Sequence, residues 1–278
     1  MDMTITCGAC RLSLHKPCVM GILNVTPDSF FAGSRCATPQ DVQARATLMA
    51  AQGVDVFDVG AYSTRPGAAE VSETEELQRL TAALDVLAAQ FPHVMLSVDT
   101  FRANVVERLY GRYGPFIVND VTGGEADPQL LTVTARLQLP YVIMHSRGNP
   151  QTMQQLTNYE DVAQEVTAYL RKKMEDCGRM GVRQVILDPG FGFAKTVEQN
   201  YILFNHIETI IDLGAPMLVG ISRKTMVWKP LGITPEEALT ATSALHLQAL
   251  LQGAHILRVH DVAAAKQMVK LCEMIKTC

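Results

Sequence analysis

Eight short apolar runs punctuate the chain: Val19 to Val25, Val54 to Gly60, Val94 to Val98, Phe116 to Val118, Tyr141 to Met144, Val185 to Leu187, Met217 to Ile221 and Ala254 to Val259. They are of strand length and apolar without alternation, the pattern of parallel strands covered on both faces. Helical patterns with legible ends lie between them. Thr38 and Pro39 predict one helix start, as N-cap and first-turn proline, and Gly53 its stop. Ser72 with Glu75 predicts a capping box ahead of Leu77, Leu80, Leu84 and Leu87, which share one helix face. Thr234, Pro235 and Glu237 repeat the start signal and Gly253 the stop. Ahead of the first strand, the segment from Thr4 to Leu14 reads as a hairpin suited to capping the lower mouth of a barrel.

Strands alternating with helices predict right-handed βαβ crossovers, and eight of them over 278 residues favour closure into an α/β barrel of the (β/α)8 kind. The reading is a single domain, 1–278, with the hairpin over 1–18 and the barrel over 19–278. A doubly wound open sheet is the rival. It usually carries a glycine fingerprint after its first strand, where this chain has Asn24-Val25-Thr26-Pro27. Gly190-Phe191-Gly192 follows the sixth strand and lacks the third glycine, and no phosphate-binding P-loop pattern occurs.

Composition adds a few exclusions. The chain is 48% hydrophobic and 19% charged, enough apolar material for a large core, and its formal net charge of -4 lacks the basic excess that nucleic acid requires. The amino terminus shows no leader pattern and no apolar run approaches membrane-spanning length, so a soluble, unprocessed protein is expected. Seven scattered cysteines suit a reducing compartment rather than a disulfide framework. Cys7 and Cys10 form a C-x-x-C pair, but no second pair stands near enough to complete a zinc site.

The chemistry is concentrated where the strands end: Asn24, Asp58, Asp99, Asn119 with Asp120, His145, Asp188, Ser222 with Arg223 and Lys224, and Arg258 with His260. In a barrel these ends converge on the upper face. Polar residues can simply mark strand ends, but so many at an apolar mouth call for a partner that offsets their desolvation. Asp99, Asp188, Asn119 and Lys224 offer acceptors and donors suited to a flat heterocycle with an amidine-like N–H edge. The alternative is an Asp–Lys ion pair that serves stability alone. Arg258 and His260, two apart and so on one face, with Arg65 and Asn24, prefer an anion and a hard cation such as Mg²⁺, although Arg258 could also be a surface residue. Phe193 and Met144 could stack on a planar ligand or be ordinary core. Glycine and proline gather in three loops, after the first, second and sixth strands, which either turn tightly or move as lids.

These residues carry a resemblance. Gly21-Ile22-Leu23-Asn24-Val25-Thr26-Pro27-Asp28-Ser29-Phe30, Ser63-Thr64-Arg65-Pro66-Gly67, Ser97-Val98-Asp99-Thr100, Asp188-Pro189-Gly190-Phe191-Gly192-Phe193, Ser222-Arg223-Lys224 and Arg258-Val259-His260 resemble, in order across nearly the whole chain, the signatures of bacterial dihydropteroate synthase. The resemblance implies condensation of 6-hydroxymethyl-7,8-dihydropterin pyrophosphate with para-aminobenzoate to dihydropteroate and pyrophosphate in folate synthesis, the step that sulfonamides block. It assigns Asp99, Asn119, Asp188, Gly220 and Lys224 to the pterin, with Met144 beneath the ring and Asp99 and Lys224 as the catalytic groups. Asn24 would hold Mg²⁺ on the pyrophosphate; Thr64, Arg258 and His260 would contact the phosphate-bearing side. Arg65, Phe193 and Ser222 would frame the aminobenzoate, its carboxylate at the helix amino terminus that follows Ser222. A cytoplasmic homodimer is implied as well. The chain departs from the family where Phe31-Ala32-Gly33-Ser34 replaces the commoner Ser-Asp-Gly-Gly, where Ala61-Tyr62 replaces Gly-Glu, and at His145-Ser146-Arg147. Two rivals remain, a methyltetrahydrofolate corrinoid methyltransferase, which would have no pyrophosphate to bind, and a non-catalytic pterin-binding scaffold.

Overall fold

A computed structural model describes residues 3–26, 36, 38–62, 71–148 and 152–277 of the chain. Strands β1 (Thr4–Cys7) and β2 (Cys10–Ser13) pair antiparallel as the expected hairpin. Eight parallel strands follow: β3 (Cys18–Asn24), β4 (Val56–Gly60), β5 (Met95–Asp99), β6 (Ile117–Asp120), β7 (Tyr141–Met144), β8 (Val185–Asp188), β9 (Leu218–Val219) and β10 (Ile256–Val259). Their order is β8-β7-β6-β5-β4-β3-β10-β9, and a parallel bridge from Leu187 to Met217 joins the two edges. The barrel therefore closes, and the open-sheet rival is set aside.

Side chains alternate inward and outward along a strand, so every second residue of each strand enters the barrel. One inward residue from each strand, namely Met20, Val56, Met95, Ile117, Val142, Ile186, Leu218 and Ile256, forms a buried apolar layer, and Ile5, Cys7 and Leu14 of the hairpin segment pack against it. The hairpin thus plugs the amino-terminal mouth. Two residues further along the same strands stand Ile22, Asp58, Ser97, Asn119, Met144, Asp188, Gly220 and Arg258, a largely polar layer. Closure turns eight separate sequence positions into this ring.

Helices α1 (Pro39–Ala51), α2 (Glu73–Gln90), α3 (Ala103–Tyr113), α4 (Leu130–Leu137), α5 (Val162–Met180), α6 (Val197–Asn205), α7 (Glu208–Ile211), α8 (Thr225–Trp228), α9 (Leu239–Leu251) and α10 (Val262–Thr277) lie outside the strands. Their apolar faces meet the outward residues of the sheet in a second, larger core. Thr38 caps α1 in a capping box with Asp41, and Gly53 follows at φ +81°. On α2 the expected stripe is buried at Leu80, Leu84 and Leu87, each contributing about 1.5–3 kcal/mol. Glu76 is buried in the same stripe because Thr100 and Arg102 both donate to its carboxylate.

Two start signals need correction. Ser72 does accept from the Glu75 N–H at 3.2 Å, but Glu75 turns to Arg79 instead of closing the box. The Thr234 carbonyl accepts the Glu237 N–H at 3.2 Å and its N–H donates to the Glu237 carboxylate at 2.9 Å, forming a turn, and α9 begins only at Leu239. Strand ends also move by a residue or two, which brings Asp99, Asp120 and Asp188 into the strands themselves. None of the described helices is long and apolar enough to cross a membrane.

Candidate active site

The carboxyl-terminal mouth of the barrel holds a cavity of about 240 Å³. The polar inward layer forms its floor, and the residues immediately after the strands form its walls. Asn24, Asp99, Asn119, Met144, Asp188, Phe193, Gly220, Ser222, Lys224, Arg258 and His260 all line it, so every described residue of the sequence-derived site is brought together. Thr64 and Arg65, with the first-loop departure at Ala32, lie outside the described residues.

One half of the floor is an ionic ring. Arg258 Nε donates to Asp58 Oδ2 at 2.6 Å and its Nη2 to Asp99 Oδ2 at 2.9 Å. Asp58 is fully buried and also accepts from Ser97 Oγ at 2.6 Å and from Asn119 Nδ2 at 3.2 Å. A planar guanidinium can satisfy two carboxylates at once, which a lysine could not do with the same geometry. The sequence reading separated Asp99, as a pterin group, from Arg258, as a phosphate group; the structure joins them. Burial pushes the Asp99 carboxyl up to about 7, with Arg258 opposing. His260 is driven down to about 3 by burial and then by Arg258, so it is neutral at physiological pH; its Nδ1 stands 3.0 Å from Ser222 Oγ.

The other half is built on the turn after β8. Asp188 Oδ1 accepts the Gly190 N–H at 2.8 Å. Its second oxygen and Lys224 Nζ each stand 3.9 Å from the point a Cβ on Gly220 would occupy. Glycine at that point leaves the space between acid and amine open. Lys224 donates to the Phe191 carbonyl at 2.6 Å and lies 4.8 Å from the Phe193 ring centroid. Its pKa is pulled down to about 8 by burial, against Asp188, whereas burial pushes that of Asp188 up. The two groups flank the cavity instead of spending their bonding capacity on each other.

Other polar strand ends follow the bland reading. Asp120 faces outward and accepts from Tyr141 Oη at 2.6 Å and the Gly124 N–H at 2.6 Å, tying β6 to its loop. His145 faces Lys195 at 3.0 Å, away from the cavity. Arg223 lines the wall, but its guanidinium is committed to Asp261, at 2.8 Å, and to the carbonyls of Pro235 and Glu236, each at 2.6 Å. Cys7 and Cys10 are free thiols in the hairpin, far from this mouth in the fold.

Sequence reasoning missed four residues. Asp58 was noted only as a strand end, although an acid inside Val56-Phe57-Asp58-Val59 is a legible signal. Tyr62, noted only as a departure from the family pattern, and Trp228 line the cavity; nothing in the local pattern of Trp228 marks it. Lys195, buried at 4% exposure, reads in sequence like any lysine at a helix start. Near Tyr62, Arg102 stacks on both Tyr62 and Phe101, at 5.6 and 5.0 Å, bracing the root of the second loop.

The model of the family described as Pterin binding enzyme matches residues 20–260. The chain is 41% identical to the dihydropteroate synthase of Escherichia coli (strain K12) over 264 residues, covering 94% of this chain and 93% of that one. Among solved structures, the Yersinia pestis dihydropteroate synthase in a sulfonamide drug complex is similar at a TM-score of 0.94 and 37% identity, covering 99% of this chain and 100% of that one. The Xanthomonas albilineans dihydropteroate synthase with 4-aminobenzoic acid is similar at a TM-score of 0.91 and 36% identity, covering all of both chains.

Proposed function

The chain belongs to the pterin binding enzymes and, among them, to the dihydropteroate synthases, and from that premise we propose how the mouth of its barrel performs the reaction. The enzyme is a transferase that condenses 6-hydroxymethyl-7,8-dihydropterin pyrophosphate with para-aminobenzoate, releasing pyrophosphate and forming 7,8-dihydropteroate for folate. The observation that carries the assignment of roles is the open gap beside Gly220. Asp188 presents an unspent carboxylate oxygen and Lys224 an ammonium around one space free of side chain. A flat ring with an N–H edge fills that space, its edge donating to Asp188 while Lys224 and Asn119 meet its other heteroatoms. Met144 packs against the ring.

Loss of pyrophosphate leaves a methylene cation delocalised into the pterin ring. The Asp99 carboxylate, set by Arg258 at 2.9 Å, is placed to stabilise that charge. The aniline nitrogen is neutral at pH 7 and attacks the methylene cation without a general base, the new N–C bond replacing the C–O bond to pyrophosphate and the surplus proton passing to water or the released pyrophosphate. Phe193, Ser222 and Arg65 frame the aminobenzoate, and sulfonamides would take the same place. Thr64, with Arg258 and His260, serves the phosphate side, His260 as a neutral donor.

Mg²⁺ fits the donors present. Asn24 Oδ1 and Asp99 Oδ2 each stand 3.6 Å from the point of a Gly60 Cβ, a hard amide oxygen beside a carboxylate. That suits a cation that takes one or two protein ligands and completes its shell with phosphate and water. Bound there by Asn24, it would neutralise charge on the departing pyrophosphate.

A cytoplasmic homodimer belongs to the same reading; Leu271, Met274 and Ile275 of α10, 44–54% exposed, offer the apolar surface a second copy would cover. The deciding experiment incubates the purified chain with Mg²⁺, the dihydropterin pyrophosphate and para-aminobenzoate and follows both products. Turnover that is lost with EDTA and restored by Mg²⁺ is expected. No product above the uncatalysed rate would sink the assignment, and EDTA-insensitive turnover would remove the metal.

A further inference from the structure

The backbone from Asp188 to Lys195 is held in an unusual path. Gly190, Gly192 and Ala194 have φ of +67°, +82° and +49°, and a residue with a side chain, such as Ala194, adopts the left-handed region only when its surroundings impose it. Gly190 packs so closely on the end of β7 that a Cβ there would stand 1.9 Å from the His145 carbonyl oxygen. From the cavity side, Lys224 grips the Phe191 carbonyl at 2.6 Å. From the opposite side a second lysine does the same. Lys195, 4% exposed, sends Nζ to the carbonyls of Gly190, at 2.9 Å, and Phe193, at 3.0 Å, and to His145 Nδ1 at 3.0 Å.

Those three acceptors match the three protons of an ammonium, and none is a carboxylate. Burying a lysine without an ion-pair partner is costly, so simple packing does not account for its presence. The charged groups facing it are Asp188 on β8, which favours its proton, and Lys224 and Arg147, which oppose it; with burial as the largest cause they bring Lys195 down to about 7. Loss of that proton does not undo the clamp. The amine keeps two N–H donors for the two carbonyls, and its lone pair can accept from the other tautomer of His145, which burial keeps neutral with a pKa down to about 2. The Tyr159 hydroxyl secures the next carbonyl, that of Ala194, at 2.9 Å.

We propose that Lys195 is a positioning residue for the pterin subsite: by fixing the Gly190 and Phe193 carbonyls it sets the Asp188 carboxylate, held by the Gly190 N–H, and the Lys224 ammonium, held by the Phe191 carbonyl. The inference rests on the pterin reading of the cavity. Lys195 does not line the cavity, so its loss misplaces the two pterin-edge groups together.

The test compares Lys195→Met, His145→Leu and His145→Asn with the unsubstituted chain, by calorimetric titration with 6-hydroxymethylpterin and by steady-state kinetics. Lys195→Met is expected to weaken pterin binding on the order of 10–100-fold, the scale of a misplacement near 1 Å, with the KM for para-aminobenzoate within about threefold. Asparagine Oδ1 stands close to where histidine Nδ1 does, so His145→Asn should keep pterin affinity within about threefold while His145→Leu, the better space-filler, loses about tenfold. Pterin affinity unchanged in Lys195→Met, or equal losses in the two His145 variants, would overturn the proposal; the His145 pair decides alone if Lys195→Met does not fold. Failure of the unsubstituted chain to bind the pterin would overturn the reading of the cavity, and this proposal with it.

Discussion

Replacing Asp188 by asparagine removes one charge and changes the shape of the cavity almost not at all. The side chain is 7% exposed, and Oδ1 already accepts the Gly190 N–H at 2.8 Å, an acceptor that asparagine can keep. What it cannot keep is the second oxygen as an acceptor, because the amide nitrogen would oppose the N–H edge of the ring. A hydrogen bond to a buried charged group contributes about 1.5–3 kcal/mol, and a two-point contact therefore about 3–6 kcal/mol. Relief of the desolvation that pushes this carboxyl up falls on the free protein and the complex alike, so it cancels in the binding difference. At about 1.4 kcal/mol per decade, the dissociation constant for 6-hydroxymethylpterin should rise between about 10²- and 10⁴-fold. Titration calorimetry measures that ratio, and a melting curve separates it from stability. Trp228, the single tryptophan, lines the same cavity and supplies an independent optical signal. A pterin affinity within threefold of the unsubstituted chain would refute the placement of the ring edge on Asp188.

Three further outcomes follow from the same geometry. Arg258→Lys leaves Asp58 fully buried with only a point charge where a fork stood, so a loss of about 3–5 kcal/mol in urea unfolding is expected, and a loss under 1 kcal/mol would show that the fork is dispensable. Asp99 has a folded pKa of about 7, above its ordinary 3.8. Its contribution is therefore complete below about pH 4 and is lost as pH rises through 7. Asp99→Asn should flatten the fall in melting temperature between pH 4 and 7, and an identical fall in both proteins would contradict the buried position of the carboxyl. Cys7 sits in the apolar plug, its thiol pushed up to about 12 by burial, at the mouth opposite the cavity. Cys7→Ala should cost about 1 kcal/mol of stability and leave kcat within twofold; a large fall in kcat would tie the plug to the active mouth.

The strands could be read from the chain because they are apolar throughout, the mark of burial on both faces, and the barrel because eight of them alternate with capped helices. Errors fell where a local signal competes with longer-range partners. Glu75 left its capping box for Arg79, and Thr234-Pro235-Glu237 became a turn because Arg223 draws the Pro235 and Glu236 carbonyls toward β9. Sequence treats a charged residue as exposed until a partner is known. Glu76 is buried by Thr100 and Arg102, 24 and 26 positions away, and Lys195 by His145, 50 positions away, together with two nearby carbonyls that only the folded turn aims at it, so neither could be recognised from its neighbours.

By itself, the order of residues determined which side chains enter the barrel and how far up. The step of two along each strand separates Met20 from Ile22, Val56 from Asp58 and Ile186 from Asp188, placing an apolar layer beneath a polar one before any contact is known. The roles within that polar layer were decided only by closure. Asp58, Asp99, Asn119 and Arg258 come from strands up to 200 residues apart, and one guanidinium became the link between two carboxylates only when β10 closed against β3. The same closure set Asp188 and Lys224 on either side of Gly220, and turned His145 away to Lys195. Local pattern specifies direction because a strand has a fixed period; partnership depends on which strand lies across the barrel, and the chain carries that only as the sum of all its packing.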